Sequence, residues 1–316
     1  MRLALLDIQC KSVALAIPIM QMNLHHLSIF YSIAESGSLT TASKRLHISQ
    51  PAISRQLKWF EARLGVVLFE RLPRGMRLTQ AGEILRDYAS RLLEIERSAT
   101  AAMREIAGVD RGQLAIGASN TIGTYLLPAW LAKFRQKYPK IVVSVFIGNT
   151  EQVSEGVADL RFACGFIEGP LHFAGLQVER LLYDEILPVV AGTHALATQK
   201  RIDLRSFSSL PLLMREAGSG TREIVCATLD ALNIIPTNVM CLSNTEALKQ
   251  AALEGGGVAW LPRLCMEREL RDGELVPLKL PKLRIKRLLH TVLGTDTYLS
   301  PACEAFLEVI RDSIKQ

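Results

Sequence analysis

The fold of the N-terminal part is decided by residues 42–82, which read ASKRLHISQPAISRQLKWFEARLGVVLFERLPRGMRLTQAG. Ser38 is a favourable N-cap for a short helix, and Ser49 can cap a second helix after a tight turn at His47. Pro51 fits the first turn of this second helix, because early helical N–H groups lack intrahelical partners in any case. Another amphipathic helix precedes both, so the pattern predicts a helix-turn-helix.

The outward face of the second helix carries the side chains that we expect to contact DNA. In the major groove, Gln can read adenine and Arg can read guanine or bind phosphate. A short apolar stretch with a Gly turn follows and predicts a two-stranded wing, which would place three arginines near phosphates. The predicted DNA-binding residues are Ser38, Thr40, Gln50, Pro51, Ser54, Arg55, Lys58, Arg71, Arg74 and Arg77.

The net charge of the chain is concentrated in the same segment. The 316 residues include 37 Lys and Arg against 31 Asp and Glu, a surplus of +6. Eight basic and two acidic residues lie between Ser38 and Leu78, so this segment alone carries a surplus of six. A basic segment on a neutral body is typical of a nucleic-acid-binding module joined to another domain. A small helical domain with a solvated basic face is the alternative interpretation.

A long helix follows, because residues 83–107 contain neither Gly nor Pro. Its apolar residues recur at the a and d positions of a heptad, which is typical of a coiled-coil dimer. The helix would form a strut of roughly 40 Å. One long helix lying on its own domain is the alternative. The predicted dimerisation residues are Leu85, Tyr88, Leu92, Ile95, Ala99, Ala102 and Ile106.

The motifs SQPAIS, E-x-x-LG, LFER and LT-x-AG follow one another within residues 42–82. This order resembles the DNA-binding signature of the LysR-type transcriptional regulators, and the resemblance extends over roughly residues 22–316. Phe60 is a mild departure, since the family usually has Leu before this Glu. The resemblance implies a cytoplasmic homo-oligomer, a dimer or tetramer, that binds promoter half-sites and answers to a small-molecule co-inducer. A contact with RNA polymerase is compatible with this class, and no membrane partner is expected.

The rest of the chain alternates predicted strands and helices, which is typical of parallel α/β sheets. One helix is expected from about Thr121 to Tyr138, and one strand over Glu185–Ala191. The resemblance implies the two-lobed fold of periplasmic solute-binding proteins, with crossings near Asp184–Pro188 and Leu289–Leu293. The predicted divisions are 1–21 (an extension, disordered or a start-site artefact), 22–80 (winged helix-turn-helix), 81–110 (linker helix) and 111–316 (effector domain, lobe 1 over 111–184 and 290–316, lobe 2 over 185–289).

Polar residues follow several predicted strands at the points where helices begin. Ligands of open α/β sheets bind at the carboxyl ends of strands, and helix N-termini suit anions. Hydroxyls, helix amides and a single Arg therefore favour a small anionic effector. Simple helix caps would use the same residue types, and that alternative stays open. The predicted effector-binding residues are Ser119, Asn120, Thr121, Asn149, Thr150, Glu168, Ser219, Thr221, Arg222, Asn244 and Thr245.

Within the family, the stretches IGNTEQV, GSGTRE and NTEALKQ resemble the branch that controls sulfur-assimilation or carbon-fixation genes. That branch usually has an acidic residue in the third strand, where this chain has Ala163 and Cys164. The identity of the effector therefore stays open.

No cofactor, metal site or catalytic residue is expected. The six His and six Cys show no ligand spacing and no CxxC pair, which fits a reducing cytosol. GSGTRE has Glu223 where a dinucleotide fingerprint needs Gly, and no acid/base pair indicates an enzyme. A solute-binding transport component of the same two-lobed fold is the alternative function. Such a protein has no use for a basic N-terminal module and would need a signal peptide.

Overall fold

Among its described residues, the N-terminal unit contains three helices, a two-stranded ribbon and the first part of a fourth helix. In this computed structural model, the described residues are 22–73, 75–106, 112–170, 173–199, 202–203, 207–280, 283–295 and 297–315. The chain divides into two units between Leu93 and Glu94. The predicted extension over residues 1–21 lies outside the described residues. The N-terminal elements are α1 (Leu24–Ser36), α2 (Leu39–Leu46), α3 (Gln50–Leu64), β1 (Phe69–Arg71), β2 (Met76–Leu78) and the start of α4 (Gln80–Ile106).

The tight turn between α2 and α3 forms where the sequence predicts it. Ser38 caps α2 by accepting a hydrogen bond from the Thr41 N–H, and His47 ends α2 in the left-handed region at φ 55°. Gly75 at the ribbon turn has φ +95°, and a Cβ there would lie 2.7 Å from the Gly37 carbonyl oxygen. The ribbon therefore packs closely against the α1–α2 corner, and only Gly allows that approach.

Helix α4 contributes to the core of the N-terminal unit as well as extending beyond it. Leu85 and Ala89 are buried in the core formed by the three helices and the ribbon. Leu85 thus differs from the prediction that placed it on a dimer seam, because the helical period turns it towards its own domain. Tyr88, Leu92 and Ile95 are exposed, as is Ala99.

The C-terminal unit is organised around one nine-stranded sheet of order β4-β3-β5-β11-β6-β9-β7-β8, with β10 paired to β6. Its strands are β3 (Gln113–Ser119), β4 (Val142–Gly148), β5 (Cys164–Glu168), β6 (Leu176–Ala191), β7 (Leu212–Arg215), β8 (Val239–Leu242), β9 (Val258–Pro262), β10 (Leu275–Pro277) and β11 (Ile285–Gly294). Its helices are α5 (Asn120–Tyr125), α6 (Leu127–Lys137), α7 (Thr150–Ala158), α8 (Gly220–Ala231), α9 (Thr245–Leu253), α10 (Glu267–Asp272) and α11 (Pro301–Lys315). Short 3-10 turns cover Ala195–Thr198 and Arg263–Cys265.

Two parallel groups of strands are joined by the long strands β6 and β11. In the β3 half, β3 pairs in parallel with β4 and β5. In the β7 half, β7 pairs in parallel with β8 and β9. β6 pairs antiparallel with β11 up to Ile186 and then with β9. Separate hydrophobic cores lie on the two halves, so the two-lobed α/β architecture is confirmed.

Some predicted elements differ from the structure. The helix expected over 121–138 is two helices, because Pro128 lacks an N–H and starts a new first turn. β6 begins at Leu176 rather than Glu185: Leu176 and Val178 alternate with Gln177 and Glu179, a strand pattern that the prediction overlooked. Leu289–Val292 already pair with β5, so β11 returns to the β3 half before Leu289.

Candidate DNA interface and effector cleft

Helix α3 is amphipathic and presents its polar face to solvent. Ile53 and Phe60 are buried in the core, whereas Gln50, Arg55 and Lys58 are exposed. Packing of the apolar face of α3 into the core leaves the polar face exposed. The fold of the core therefore determines which side chains of α3 are available to enter a DNA groove. Pro51 is also exposed in the first turn.

Neighbouring elements contact this face directly. Thr40 of α2 donates to the Gln50 side-chain oxygen at 3.3 Å. Arg71 of the ribbon donates to the Ser54 hydroxyl at 3.4 Å. The structure therefore brings α2, α3 and the ribbon together at one polar surface, in keeping with the predicted winged helix-turn-helix.

The remaining predicted DNA-binding residues have other roles or lie elsewhere. Ser38 is a helix cap. Arg77 forms an exposed ion pair with Glu70 at 2.6 Å, which offsets part of its charge towards a phosphate. Arg74 lies outside the described residues.

An aromatic cluster beside the polar face of α3 was not predicted. The His26 ring lies against Trp59 with centroids 4.6 Å apart and planes tilted by 31°, and the Arg63 guanidinium lies 4.8 Å from the Trp59 ring centroid. Burial and the positive charges of His25 and Arg63 lower the pKa of His26. Trp59 thus holds α3 against α1 at the surface, while the neighbouring Phe60 fills the core.

In the C-terminal unit, a buried arginine connects both halves of the sheet. The Arg287 side chain on β11 is fully buried, and its guanidinium donates twice to Asp184 Oδ2, at 2.9 and 2.6 Å. It also donates to the Thr221 hydroxyl at 2.7 Å and to the Thr121 hydroxyl at 3.4 Å. Thr121 lies in α5 of the β3 half, and Thr221 lies in α8 of the β7 half.

Glu168 lies at the edge of this cluster. Its Oε1 accepts a hydrogen bond from the Thr121 hydroxyl at 3.0 Å, and its Oε2 lies 3.8 Å from the Arg287 guanidinium. Among the described residues, Oε2 has no hydrogen-bond partner, although Glu168 is only 2% exposed. A buried carboxylate oxygen is normally paired, so this region has unused hydrogen-bonding capacity.

A second group of predicted residues meets where α7 and α8 begin. The Thr150 hydroxyl donates to the Glu168 carbonyl at 2.8 Å and accepts from the Gly220 N–H at 3.3 Å. A Cβ on Gly220 would lie 1.6 Å from the Glu168 carbonyl oxygen, so only Gly permits this contact. The two helix N-termini are therefore packed together, with Ser219 buried beside them.

Ser119 lies next to the start of α7, because it pairs with Gly148 in the sheet register. It is 1% exposed, and its hydroxyl has no hydrogen-bond partner in the described part of the chain. Asn120 is buried as well and donates to the Gly148 carbonyl at 2.8 Å. Asn149 closes a capping box with Gln152.

Three predicted effector residues are engaged elsewhere in the β7 half. Arg222 donates to the Arg215 carbonyl at 2.7 Å and contacts the Cys241 sulfur at 3.1 Å. Asn244 caps α9, and Thr245 accepts a hydrogen bond from Arg215 at 2.6 Å. These contacts hold β7, β8, α8 and α9 together.

Arg287 and Asp184 were missed because they lie within strands rather than at strand ends. A signal was nevertheless present in the sequence. Ile285, Arg287 and Leu289 alternate along β11 and are all buried. Because side chains alternate faces in a strand, an Arg between two inward apolar residues is predicted to be buried, and a buried Arg requires a partner.

Together, these features define a regulator with a basic helix-turn-helix unit and a two-part α/β domain that encloses polar side chains. Residues 24–83 match the family described as bacterial regulatory helix-turn-helix protein, lysR family. Residues 107–315 match the LysR substrate binding domain. The chain belongs to the LysR family of DNA-binding, ligand-responsive transcriptional regulators.

Relatives and one solved structure resemble most of the chain. The uncharacterized HTH-type transcriptional regulator YeiE of Escherichia coli K12 is 37% identical over 291 residues, covering 92% of this chain and 97% of YeiE. A probable RuBisCO transcriptional regulator of Emiliania huxleyi is 32% identical over 295 residues, covering 92% of this chain and 94% of that protein. Full-length CbnR complexed with its target DNA superimposes with a TM-score of 0.68 at 23% identity, covering 92% of this chain and all of CbnR. This last likeness shows the fold alone. Among the described helices, none is long and apolar enough to span a bilayer.

Proposed function

We propose that this regulator binds promoter DNA with the polar face of α3 and the ribbon, self-associates through the exposed apolar stripe of α4 formed by Tyr88, Leu92 and Ile95, and responds to a small anion. It would act in the cytoplasm and regulate transcription rather than catalyse a reaction. The observation that carries the effector proposal is the Ser119 hydroxyl, which is buried next to the start of α7 and has no hydrogen-bond partner among the described residues. The solute-transport alternative is not favoured, since the helix-turn-helix family matches residues 24–83.

The proposed anion site combines three features. Ser119 offers a hydroxyl with no partner in the described part of the chain, α7 and α8 offer the positive ends of their helix dipoles, and Thr150 and Ser219 are buried. Arg287 supplies a buried cation, and its contacts to Thr121 and Thr221 hold α5 and α8 in register. We therefore assign Arg287, in place of Arg222, as the arginine that organises the site. The region of Ser119, Thr121, Thr150, Thr221 and Arg287 is called the effector cleft below.

DNA binding is tested with an Arg55→Ala variant and a DNA fragment from the region upstream of the chain's own gene. Loss of a base-edge contact should weaken specific binding by about 1–3 kcal/mol and relax sequence selectivity. Arg135→Ala, an exposed substitution on α6 in the C-terminal unit, is the matched control and should bind normally. Unchanged affinity and selectivity in Arg55→Ala would remove α3 from the interface.

The anion site is tested by thermal unfolding with sulfate, phosphate and glycolate as probes. At least one probe should raise the melting temperature, because a ligand that binds only the folded state stabilises it. Ser119→Ala should lose this increase. Ser313→Ala, on α11, should keep it. If every probe failed, or if Ser119→Ala responded like the parent chain, the anion assignment would be wrong.

A further inference from the structure

The helix that carries part of the cleft also reaches the core of the opposite half of the sheet. α5 starts directly after Ser119 and ends at Tyr125, so it is about 9 Å long. Its first turn holds Thr121, which contacts Glu168 and Arg287. Its last residue, Tyr125, packs against the hydrophobic cluster of the β7 half, which includes Leu187, Val189, Leu213, Leu248, Ala259, Leu261 and Met266.

The Tyr125 hydroxyl is held by charged groups of the β7 half. It donates a short hydrogen bond to the Glu246 carboxylate and accepts one from Lys249 Nζ at 3.4 Å. Burial and the neighbouring carboxylate of Glu246 raise the pKa of Tyr125, so the phenol keeps the proton that it donates. One side chain thus connects the end of α5 to two residues of α9.

Lys249 is itself buried and fully engaged. Its side chain is 7% exposed, and Nζ lies 3.0 Å from Glu269 Oε1 and 3.2 Å from Glu246 Oε1. Nζ also donates to the Cys265 carbonyl at 3.0 Å. Because a buried ammonium is costly unless it is paired and hydrogen-bonded, these partners keep Lys249, and with it the Tyr125 hydroxyl, in one position.

The two ends of α5 therefore contact different parts of the unit. At one end lie Ser119 and Thr121, and at the other lies an ion network built from α9, α10 and the 3-10 turn. A helix with under two turns has little freedom to bend, so fixing Tyr125 limits the movement of Thr121 and Ser119. None of the hydrogen bonds described for Tyr125 reaches α7 or α8.

We propose that Tyr125 is a positioning residue of the effector cleft: held by Glu246 and Lys249, it fixes α5 and so sets the placement of Ser119 and Thr121. The inference rests on the proposed effector function and assigns a residue that regulates the same site. Tyr125 does not touch the proposed anion site. It acts through the helix that begins there.

The experiment is amide hydrogen exchange of the full chain, read by mass spectrometry without DNA or added anion. Tyr125→Phe removes the hydroxyl and keeps the ring in the apolar cluster. Exchange should rise about threefold to tenfold in residues 119–124, the factor that corresponds to one net hydrogen bond. It should also rise in the first turns of α7 and α8, because Arg287 joins Thr121 to Thr221 of α8, and Thr150 of α7 is hydrogen-bonded to Gly220 of α8. Glu246→Gln removes the acceptor charge and should give the same pattern.

The matched control is Leu275→Val, which shortens a buried side chain of the same core on β10 and removes no hydrogen-bonding group of the ion network. It should raise exchange in the strands that form this apolar cluster and leave the first turns of α7 and α8 unchanged. Two results would overturn the proposal: unchanged exchange at the starts of α7 and α8 in Tyr125→Phe, or the same rise there in Leu275→Val. Because neither DNA nor anion is present, such a result would leave the proposed regulatory function standing.

Discussion

Arg287 Nη1 donates to the Thr221 hydroxyl at 2.7 Å, a hydrogen bond that joins β11 to the first turn of α8. The same guanidinium lies directly opposite Asp184 in the β6–β11 pairing. Since the Arg287 side chain is fully buried, its charge must be balanced inside the protein, and Asp184 does so.

Arg287→Met should lower the free energy of unfolding by about 3–5 kcal/mol, because it leaves buried Asp184 and Glu168 without their cation. Urea unfolding followed by circular dichroism measures the change. Arg284→Met is the matched control: Arg284 is 56% exposed and pairs with Glu185, so its loss should cost less than about 1 kcal/mol. Equal effects of the two substitutions would contradict the role given to burial.

Ile95→Glu should convert the oligomer to monomers, because it places a charge in the exposed apolar stripe formed by Tyr88, Leu92 and Ile95. Sedimentation velocity at micromolar concentration provides the measurement. Arg97→Glu introduces the same residue on the opposite face of α4 and should leave the oligomer intact. If Ile95→Glu remained oligomeric, the apolar stripe of α4 would not be the interface between copies of the chain. The predicted seam residues Ala102 and Ile106 lie in α4, but their side chains are outside the described residues.

Asn149→Ala should destabilise the C-terminal unit by about 1 kcal/mol, because the Asn149 side chain accepts the Gln152 N–H at 2.9 Å. Asn149→Asp keeps that acceptor and should retain most of the stability. Thermal unfolding of both variants, with and without phosphate, separates a cap from an anion contact. If Asn149→Ala kept full stability and lost only the phosphate response, Asn149 would be a ligand contact instead.

His290 should make the C-terminal unit less stable in acid. Burial, and then the positive charge of Arg180, lower the pKa of His290. As pH falls below about 6.5, the unfolded chain takes up a proton that the folded chain resists, so the free energy of unfolding decreases. His290→Gln should reduce the difference in urea midpoint between about pH 7.5 and about pH 5.5. The pKa of His26 in the N-terminal unit is also lowered, so His26 also makes the folded chain less stable in acid. His290→Gln is therefore expected to reduce the change of the urea midpoint with pH and not to abolish it. The same difference in urea midpoint in His290→Gln and the parent chain would show that His290 does not contribute to the loss of stability in acid.

The local sequence pattern was sufficient to predict the helix-turn-helix of the N-terminal unit. Ser38, His47 and the buried face of α3 follow from capping, turn and periodicity rules that act over a few residues. Leu85 shows the limit of these local rules. Its heptad position predicts that it is buried, but not whether its own domain or a second copy of the chain buries it. An apolar residue of this helix can be buried either by its own domain or by a second copy of the chain. Leu85 is buried in the core of its own domain.

The cleft was only partly predictable for a related reason. Ser119, Thr150 and Thr221 were found because hydroxyls follow strands and begin helices. Arg287 is separated from its partner Asp184 by 103 positions of sequence and from Thr121 by 166 positions. Short-range spacing in the sequence cannot predict contacts over such separations. Arg222 stands in the GSGTRE stretch beside Thr221, yet successive helical residues point in different directions, and its guanidinium reaches β7 and β8.

The long strand β6 restricts how the length of the chain can vary. It pairs first with β11 and then with β9, so both halves of the sheet depend on one register. Inserting or deleting a single residue before Asp184 would turn its carboxylate to the opposite face and away from Arg287. β6 can therefore accept substitutions while resisting insertions and deletions. Diversity in length is expected in the connecting loops.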